Sequence, residues 1–228
     1  MDLVFLNTWD GQLHDELREY VHELRQSTDV FCFQEAHTTN QSAYDDLLFE
    51  GYDKYYSEKH QPNLELANVM YVRKGIEVIR SGSLLNEGSD IGFANFVVLK
   101  QGNTETSVCN VHGIPHPGHK LDTPDRIEQS TVLLDHFAQD ERVVIGGDFN
   151  LLPEARSVKI FEERGYRNLI AEYAIQSTRN HFSLDAYPDN PQYFADYVFT
   201  SPAIGVVDFS VPSDIVSDHQ SLRVSIEA

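Results

Sequence analysis

Apolar residues fall along this chain in short runs broken by polar turns, with helical spacing confined to a few stretches. Leu3–Trp9 is an apolar run with β-branched and aromatic members, which predicts a strand. Leu13, Leu17, Tyr20, Val21 and Leu24 then recur three and four apart, which predicts an amphipathic helix over about Gln12–Ser27. Val30–Ala36 reads as a second, buried strand, and Asn40 or Ser42 as the cap of a short helix reaching Phe49. Strands are expected over Tyr52–Ser57, Asn68–Arg73, Ile76–Ser81, Ala94–Lys100 and Thr106–His112. In Asp122-Thr123-Pro124, Thr123 caps a helix whose first position Pro124 takes without losing a hydrogen bond, and Ile127, Leu134 and Phe137 share its inner face. A strand at Arg142–Gly147, a helix over Ala155–Arg164 ending at Gly165, and strands at Ala195–Thr200, Val206–Val211 and Leu222–Ile226 complete the pattern. No repeat, low-complexity tract or long linker divides it, so residues 1–228 are expected to form a single α/β domain of mixed sheets with helices outside.

Polar residues gather where the apolar runs stop. Asn7 ends the first strand and Gln34-Glu35 the second. Asn110 and His112 end a third, Asp148 and Asn150 follow Val143–Gly147, Asp196 opens a strand, and Asp218-His219 precede the last one. Ligands in α/β sheets collect at strand ends and the loops beyond them. Carboxylates and amides there make a hard-oxygen site suited to Mg²⁺ or Mn²⁺, and such a cation polarises a phosphoryl oxygen. A histidine paired with an aspartate can stabilise or protonate a phosphorane oxygen, and a second aspartate can orient a water for in-line attack. Taken singly each residue also reads as an ordinary turn, cap or loop group; the six clusters together carry the signal.

Composition narrows the partners. Of 228 residues, 41% are hydrophobic and 23% charged, ordinary globular values. Lys and Arg number 17 against 36 Asp and Glu, a formal charge of −19, which opposes tight non-specific binding to nucleic acid or anionic membranes. A bound cation or local basic pocket inverts that field, so phosphate chemistry stays open. The N-terminus has no basic leader and no run is long enough to span a bilayer, so no membrane insertion and a cytoplasmic location are expected. Cys32 and Cys109 lie in apolar runs and read as buried thiols.

Six segments in order, Leu6-Asn7-Thr8-Trp9, Phe33-Gln34-Glu35, Asn110-Val111-His112, Gly146-Gly147-Asp148-Phe149-Asn150, Asp196-Tyr197-Val198-Phe199 and Ser217-Asp218-His219, resemble the endonuclease/exonuclease/phosphatase family of metal-dependent phosphoesterases. The resemblance implies a four-layer α/β sandwich, two mixed β-sheets packed face to face with helices on the outside. It implies that Glu35 is the principal metal ligand, with Asn7 helping and Asp218 near the metal. Asp148 then positions the attacking water, Asn150 contacts the scissile phosphate, His219 contacts the phosphate in the transition state and Asp196 orients that histidine. His112 matches a histidine of the nuclease, phosphatase and deadenylase branches that contacts phosphate or leaving group. Trp9 stands where some DNA-repair members carry an aspartate, and those members lack a histidine at the position of His112, which weakens an abasic-site endonuclease reading.

The segment His112–Lys120 packs three histidines, two prolines and a lysine into nine residues. It reads as a substrate loop in which Lys120 and Arg126 meet the non-scissile part of an anionic substrate, with Asn110 also in contact, or as a flexible surface loop with Arg126 in a structural salt bridge. A zinc site from His112, His116 and His119 is the weaker reading, because the strand-end carboxylates already supply a hard-metal site. Tyr187, Tyr193 and Phe194 read as packing first and as stacking surfaces second. A metal-free serine hydrolase finds no Gly-x-Ser-x-Gly, and an inactive binder has no chemical reason to keep Glu35, Asp148, Asn150, Asp196 and His219 together. The expectation is a phosphoesterase using Mg²⁺ or Mn²⁺ on a compact phosphoester, with nucleic acid as the alternative and duplex DNA disfavoured by charge.

Overall fold

Alternation along the first strands sets the layers. In β1 (Asp2–Asn7), Leu3 and Phe5 face one way and Val4 and Leu6 the other. In β2 (Val30–Gln34), Val30 and Cys32 join the first set and Phe31 and Phe33 the second. β4 (Leu64–Arg73) repeats this with Met70 and Val72 against Val69 and Tyr71. The second set packs on Leu17, Tyr20 and Val21 of α1 (His14–Leu24) and on Leu48 of α2 (Asp45–Leu48). The first set faces another sheet. Full burial of a side chain of this size stabilises by roughly 1.5–3 kcal/mol, so both faces hold the sheet in place.

The structure is a computed structural model that describes residues 1–37, 41–61, 64–85, 92–186 and 188–227. With β3 (Tyr52–Gln61), β11 (Val206–Ser210) and β12 (Leu222–Ile226), the first sheet runs β11-β12-β1-β2-β4-β3. The second contains β5 (Glu77–Leu84), β6 (Phe93–Gln101), β7 (Thr104–His112), β8 (Val143–Asp148), β9 (Arg167–Asn168) and β10 (Asp196–Thr200), in the order β5-β6-β7-β8-β10-β9. Each sheet is antiparallel except for one central pair: β1 beside β2, and β7 beside β8. The crossovers are α1 and α3 (Pro124–His136), as parallel neighbours require. Leu133, Leu134 and Phe137 at the end of α3 join the second sheet's core, with Val158 and Phe161 of α4 (Arg156–Glu163); Phe161 stacks on Phe199 at 4.1 Å. The result is the expected α/β sandwich of two mixed sheets. No helix among the described residues is long and apolar enough to cross a membrane. Cys32 and Cys109 are free and buried.

Four local expectations need correction. β1 stops at Asn7 rather than Trp9, because the Trp9 amide donates to Asn7 Oδ1 (2.9 Å) and Trp9 and Asp10 turn to φ 47° and 49°. Thr123 caps α3 with its side chain on the Arg126 amide, but Ile127 points outward at 36% exposure; the face that turns inward carries Arg126, Gln129 and Ser130 beside Leu133 and Leu134. Ser42 lies in a single tight turn, Gln41–Ala43, and the cap position of α2 belongs to Tyr44; Asn40 lies outside the described residues. Two short helices, α5 (Leu169–Glu172) and α6 (His181–Ala186), stand where no helix was expected.

Candidate active site

The two parallel pairs carry their carboxyl ends to the same edge of the sandwich. Asn7 pairs with Gln34 across β1 and β2, and His112 pairs with Asp148 across β7 and β8. A buried polar tie beneath them locks one sheet to the other: Gln34 Nε2 donates to Asn110 Oδ1 (2.5 Å), Asn110 Nδ2 to the Phe33 carbonyl (3.0 Å), and Asn68 Nδ2 to the Asn110 carbonyl (3.2 Å). Two glycines let the strands approach. At Gly147, φ is 124° and a Cβ would stand 2.3 Å from the Val111 carbonyl; at Gly113 it would stand 2.3 Å from that of Phe149.

Above this tie Asn7 Nδ2 donates to Glu35 Oε1 (2.9 Å) and to Asp148 Oδ2 (3.0 Å), so one amide bridges carboxylates from both sheets. His112 Nε2 lies 3.6 Å from Glu35 Oε1. One ligand atom each from Glu35, His112 and Asp148 lies within 4.8 Å of the others. Asp148 Oδ1 accepts from the Asn150 amide (2.8 Å), and Oδ2 accepts from Asn150 Nδ2 (3.2 Å) and stands 3.7 Å from His219 Nε2.

On the far side His219 Nδ1 lies 2.9 Å from Asp196 Oδ1. Thr178 Oγ1 donates to Asp196 Oδ2 (2.8 Å) and accepts from the Asp196 amide (3.2 Å), fixing that carboxylate. The pair is almost wholly buried. Burial pushes the Asp196 carboxyl up, against the opposing charge of His219. Burial and the Arg179 guanidinium pull the His219 imidazolium down, but the carboxylates of Asp196, Asp218 and Asp148 outweigh them and raise it above the ordinary histidine value. Burial alone would raise Asp148; instead the charges of His219, Lys120, His112 and Arg179 hold it well below the usual carboxylate range. The surrounding charges thus favour the ionised form of Asp148 and the protonated form of His219.

A cavity of about 600 Å³ opens over these groups, bounded by Trp9, Asp10, Glu35, His116, Lys120, Arg179 and Phe182 among others. Its size suits a small molecule. Gln192 Nε2 donates to the Gly118 carbonyl (2.5 Å), tying the two loops at its rim. Of the seven non-glycine residues at positive φ among those described, five line this cavity: Trp9, Asp10, Glu35, Lys120 and Asn150. Strained backbone concentrated at one site marks placement under functional constraint. A larger hollow of about 760 Å³ lies at the opposite strand ends, where Arg80 is already paired to Asp140 at 2.9 Å; it holds none of the motif residues.

The comparisons agree with this fold. The family model described as Endonuclease/Exonuclease/phosphatase family matches residues 5–219. The chain belongs to the endonuclease/exonuclease/phosphatase family. Among solved structures, truncated TDP2 from Caenorhabditis elegans superposes with a TM-score of 0.76 at 19% identity, over 100% of this chain and 97% of that one. The mannosyl-6-phosphatase of Bacteroides thetaiotaomicron gives 0.74 at 17%, over 100% of both chains. The human Nocturnin catalytic domain with bound sulfate gives 0.69 at 16%, over 100% of this chain and 94% of that one. At these identities the likeness is one of fold. No curated protein matches the sequence.

Within the family frame, Asn7, Glu35, His112, Asp148, Asn150, Asp196 and His219 come together as the motifs suggested, and Lys120 joins them through Nζ on Asn150 Oδ1 (2.5 Å). Two expectations are corrected. Asn110 is fully buried in the inter-sheet tie and is closed to substrate. Arg126 is also fully buried; its guanidinium donates to the carbonyls of Leu121 (2.6 Å), Ile114 (3.0 Å) and Pro117 (2.9 Å), so it shapes the Lys120 loop from beneath. Asp218 lines the same cavity as Glu35 and accepts from Arg179 Nη2 (2.8 Å), outside the Glu35–His112–Asp148 cluster. The histidine trio does not form a zinc site: of its three members only His112 joins a metal-type cluster among the described residues, and His119 Nδ1 accepts from the Leu121 amide. Phe194 packs on the core, Tyr193 is half exposed, and Tyr187 lies outside the described residues.

Sequence reasoning missed Thr178 and Arg179. Both reach the site because the chain before α6 runs back along the His219 segment, where Arg179 forms an isolated antiparallel bridge to His219. No periodicity marks that return. The only available signal was a threonine and an arginine a short way before the Asp196 strand.

Proposed function

We propose that this chain hydrolyses a compact phosphoester with the help of a divalent cation, Mg²⁺ or Mn²⁺. The observation that carries the reading is the meeting at Asp148 of a carboxylate-rich cluster from both sheets and a buried Asp196–His219 pair. Glu35 and Asp148, with His112 beside them, are hard donors of the kind such a cation takes, and Asn7 spans the two carboxylates. When bound there, the cation offsets negative charge on the phosphoryl oxygens.

The chain's own groups supply the rest. Asp148, held ionised, accepts a hydrogen bond from the attacking water and aligns it opposite the leaving oxygen. His219, held protonated with Nδ1 on Asp196, presents Nε2–H to a phosphoryl oxygen as negative charge builds there. Asn150 and Lys120 add donors, and the same two residues help keep Asp148 ionised. The new bond is water oxygen to phosphorus, the broken bond is phosphorus to ester oxygen, and the water's proton ends on the departing oxygen. The tied loops and the formal charge of −19 favour a compact substrate over long nucleic-acid backbone.

The test is hydrolysis of p-nitrophenyl phosphate, bis-p-nitrophenyl phosphate and a panel of sugar phosphates, nucleotides and single-stranded RNA and DNA, with Mg²⁺, Mn²⁺ or EDTA. The reading expects turnover that EDTA abolishes and that metal restores. Turnover that survives EDTA, or none on any substrate with either metal, contradicts it.

A further inference from the structure

Arg179 is not used by the chemistry above, yet it lines the same cavity. Its side chain is 11% exposed. Nη2 is committed to Asp218 at 2.8 Å, while Nε is buried and has no hydrogen-bond partner. A guanidinium nitrogen left so is costly unless a ligand satisfies it. Lys120 approaches from the other loop. Nζ, largely removed from water, touches only a neutral acceptor, Asn150 Oδ1. Among the described residues these two are the only lysine or arginine side chains that line the cavity, in a chain where acidic groups outnumber basic ones by 36 to 17. Burial depresses the Lys120 ammonium most; the Asp148 charge opposes this, and Arg179 lies close enough to add to the depression. Each cation thus keeps a donor that no carboxylate takes up, Nζ on Lys120 and Nε on Arg179, and an anion between them satisfies both.

We propose that Lys120 and Arg179 form a two-cation clamp for the terminal oxygens of a phosphomonoester, so that the site is a phosphomonoesterase rather than a diesterase. The inference rests on the phosphoesterase reading and specifies its substrate class. A phosphomonoester loses its second proton near pH 6 and is a dianion at neutral pH with three terminal oxygens; a diester is a monoanion with two. Lys120 and Arg179 offer one cationic group from each of two segments, which matches the two negative charges of the monoester rather than the single charge of the diester. In the diester one of the terminal oxygens carries a second substituent, which would have to occupy the space between the cations. Hydrolysis then consumes water and the monoester and yields the alcohol and inorganic phosphate, with no other reactant.

The experiment compares p-nitrophenyl phosphate with bis-p-nitrophenyl phosphate in the wild type, Arg179→Met, Arg179→Lys and Lys120→Met, all with Mn²⁺, and titrates inorganic phosphate into each by calorimetry. The clamp predicts that the wild type prefers the monoester. In Arg179→Met the monoester kcat/KM falls about a hundredfold, mainly through KM, and the diester value falls at least tenfold less. Arg179→Lys recovers part of the loss, and phosphate binding weakens about tenfold in both methionine variants. Equal losses on the two esters, or phosphate binding unchanged, would make Arg179 a support for Asp218 alone and overturn the clamp. The two readings fail differently. Metal-dependent turnover with an unaltered ester ratio removes the clamp and keeps the phosphoesterase. Absent turnover with phosphate binding lost in Arg179→Met removes the phosphoesterase and keeps the anion site.

Discussion

On the His219 side of the site the protein has already made its contacts: Nδ1 rests on Asp196, Asp196 rests on Thr178, and all three are buried. On the Glu35 side the groups face one another with contacts missing. His112 Nε2 is 3.6 Å from Glu35, His112 Nδ1 is buried without a partner, and the Glu35 side chain remains 27% exposed. The contrast separates two jobs. A group that must present a proton at a fixed place is best held by the fold before substrate arrives, since orienting it later costs rate. A group that must take a cation is left short of partners, because the cation completes the set. Asp148 belongs to both halves, through Asn7 on one side and His219 on the other.

Substitutions can break this comparison at three depths. The largest effect is expected at the shared member and at the proton donor. Asp148→Asn and His219→Ala should each lower kcat by roughly 10³-fold while the chain stays folded by circular dichroism. A near wild-type rate in either removes the role assigned to it. Next, Glu35→Gln should weaken divalent-metal binding by about a hundredfold and make activity depend on added metal over a higher range. A smaller effect belongs to Asp196→Asn. The proposed mechanism uses His219 protonated, so activity should fall as pH rises through its raised value, above the ordinary 6.5. Without the Asp196 charge that raises it, the alkaline limb of the kcat profile should move to lower pH, and an unmoved limb would detach His219 from Asp196.

The Lys120 loop sharpens the same contrast between held and open groups. Arg126→Met strips donors from three carbonyls beneath the loop and should cost about 3 kcal/mol in urea denaturation, with a secondary loss of activity. Lys120→Met should change stability by less than about 1 kcal/mol, because its single bond is to the neutral Asn150 oxygen. If the two variants exchange these outcomes, the loop is braced from above rather than below.

Local chemistry was readable in the residues. Thr123-Pro124 announces the start of α3, and alternation in Leu3–Leu6 and Val30–Phe33 assigns each side chain to a face. The motif residues of the site were likewise visible, because each ends or opens a strand. What the sequence concealed depends on contacts formed only by folding. Arg126 read as a substrate-facing cation near a helix start, but its acceptors are loop carbonyls that gather around it after the chain turns back. Asn110 sits next to a site residue yet points into the space between sheets, a direction fixed by the second sheet's arrival. Ile127 matched the helical spacing of Leu134, but polar Arg126, Gln129 and Ser130 took the inner face because they have partners there; Gln129 accepts from the Ile114 amide and Ser130 donates to the Ser157 carbonyl. Arg179 reaches the site through a long-range return of the chain, which no local pattern encodes.

The division of the site is tested most directly by titrating Mn²⁺ into the wild type, Glu35→Gln and His219→Ala and following the ion by electron paramagnetic resonance. The account predicts that Glu35→Gln weakens binding about a hundredfold while His219→Ala stays within about threefold of wild type, despite its far lower kcat. Equal weakening in the two variants, or tight binding retained in Glu35→Gln, would contradict it.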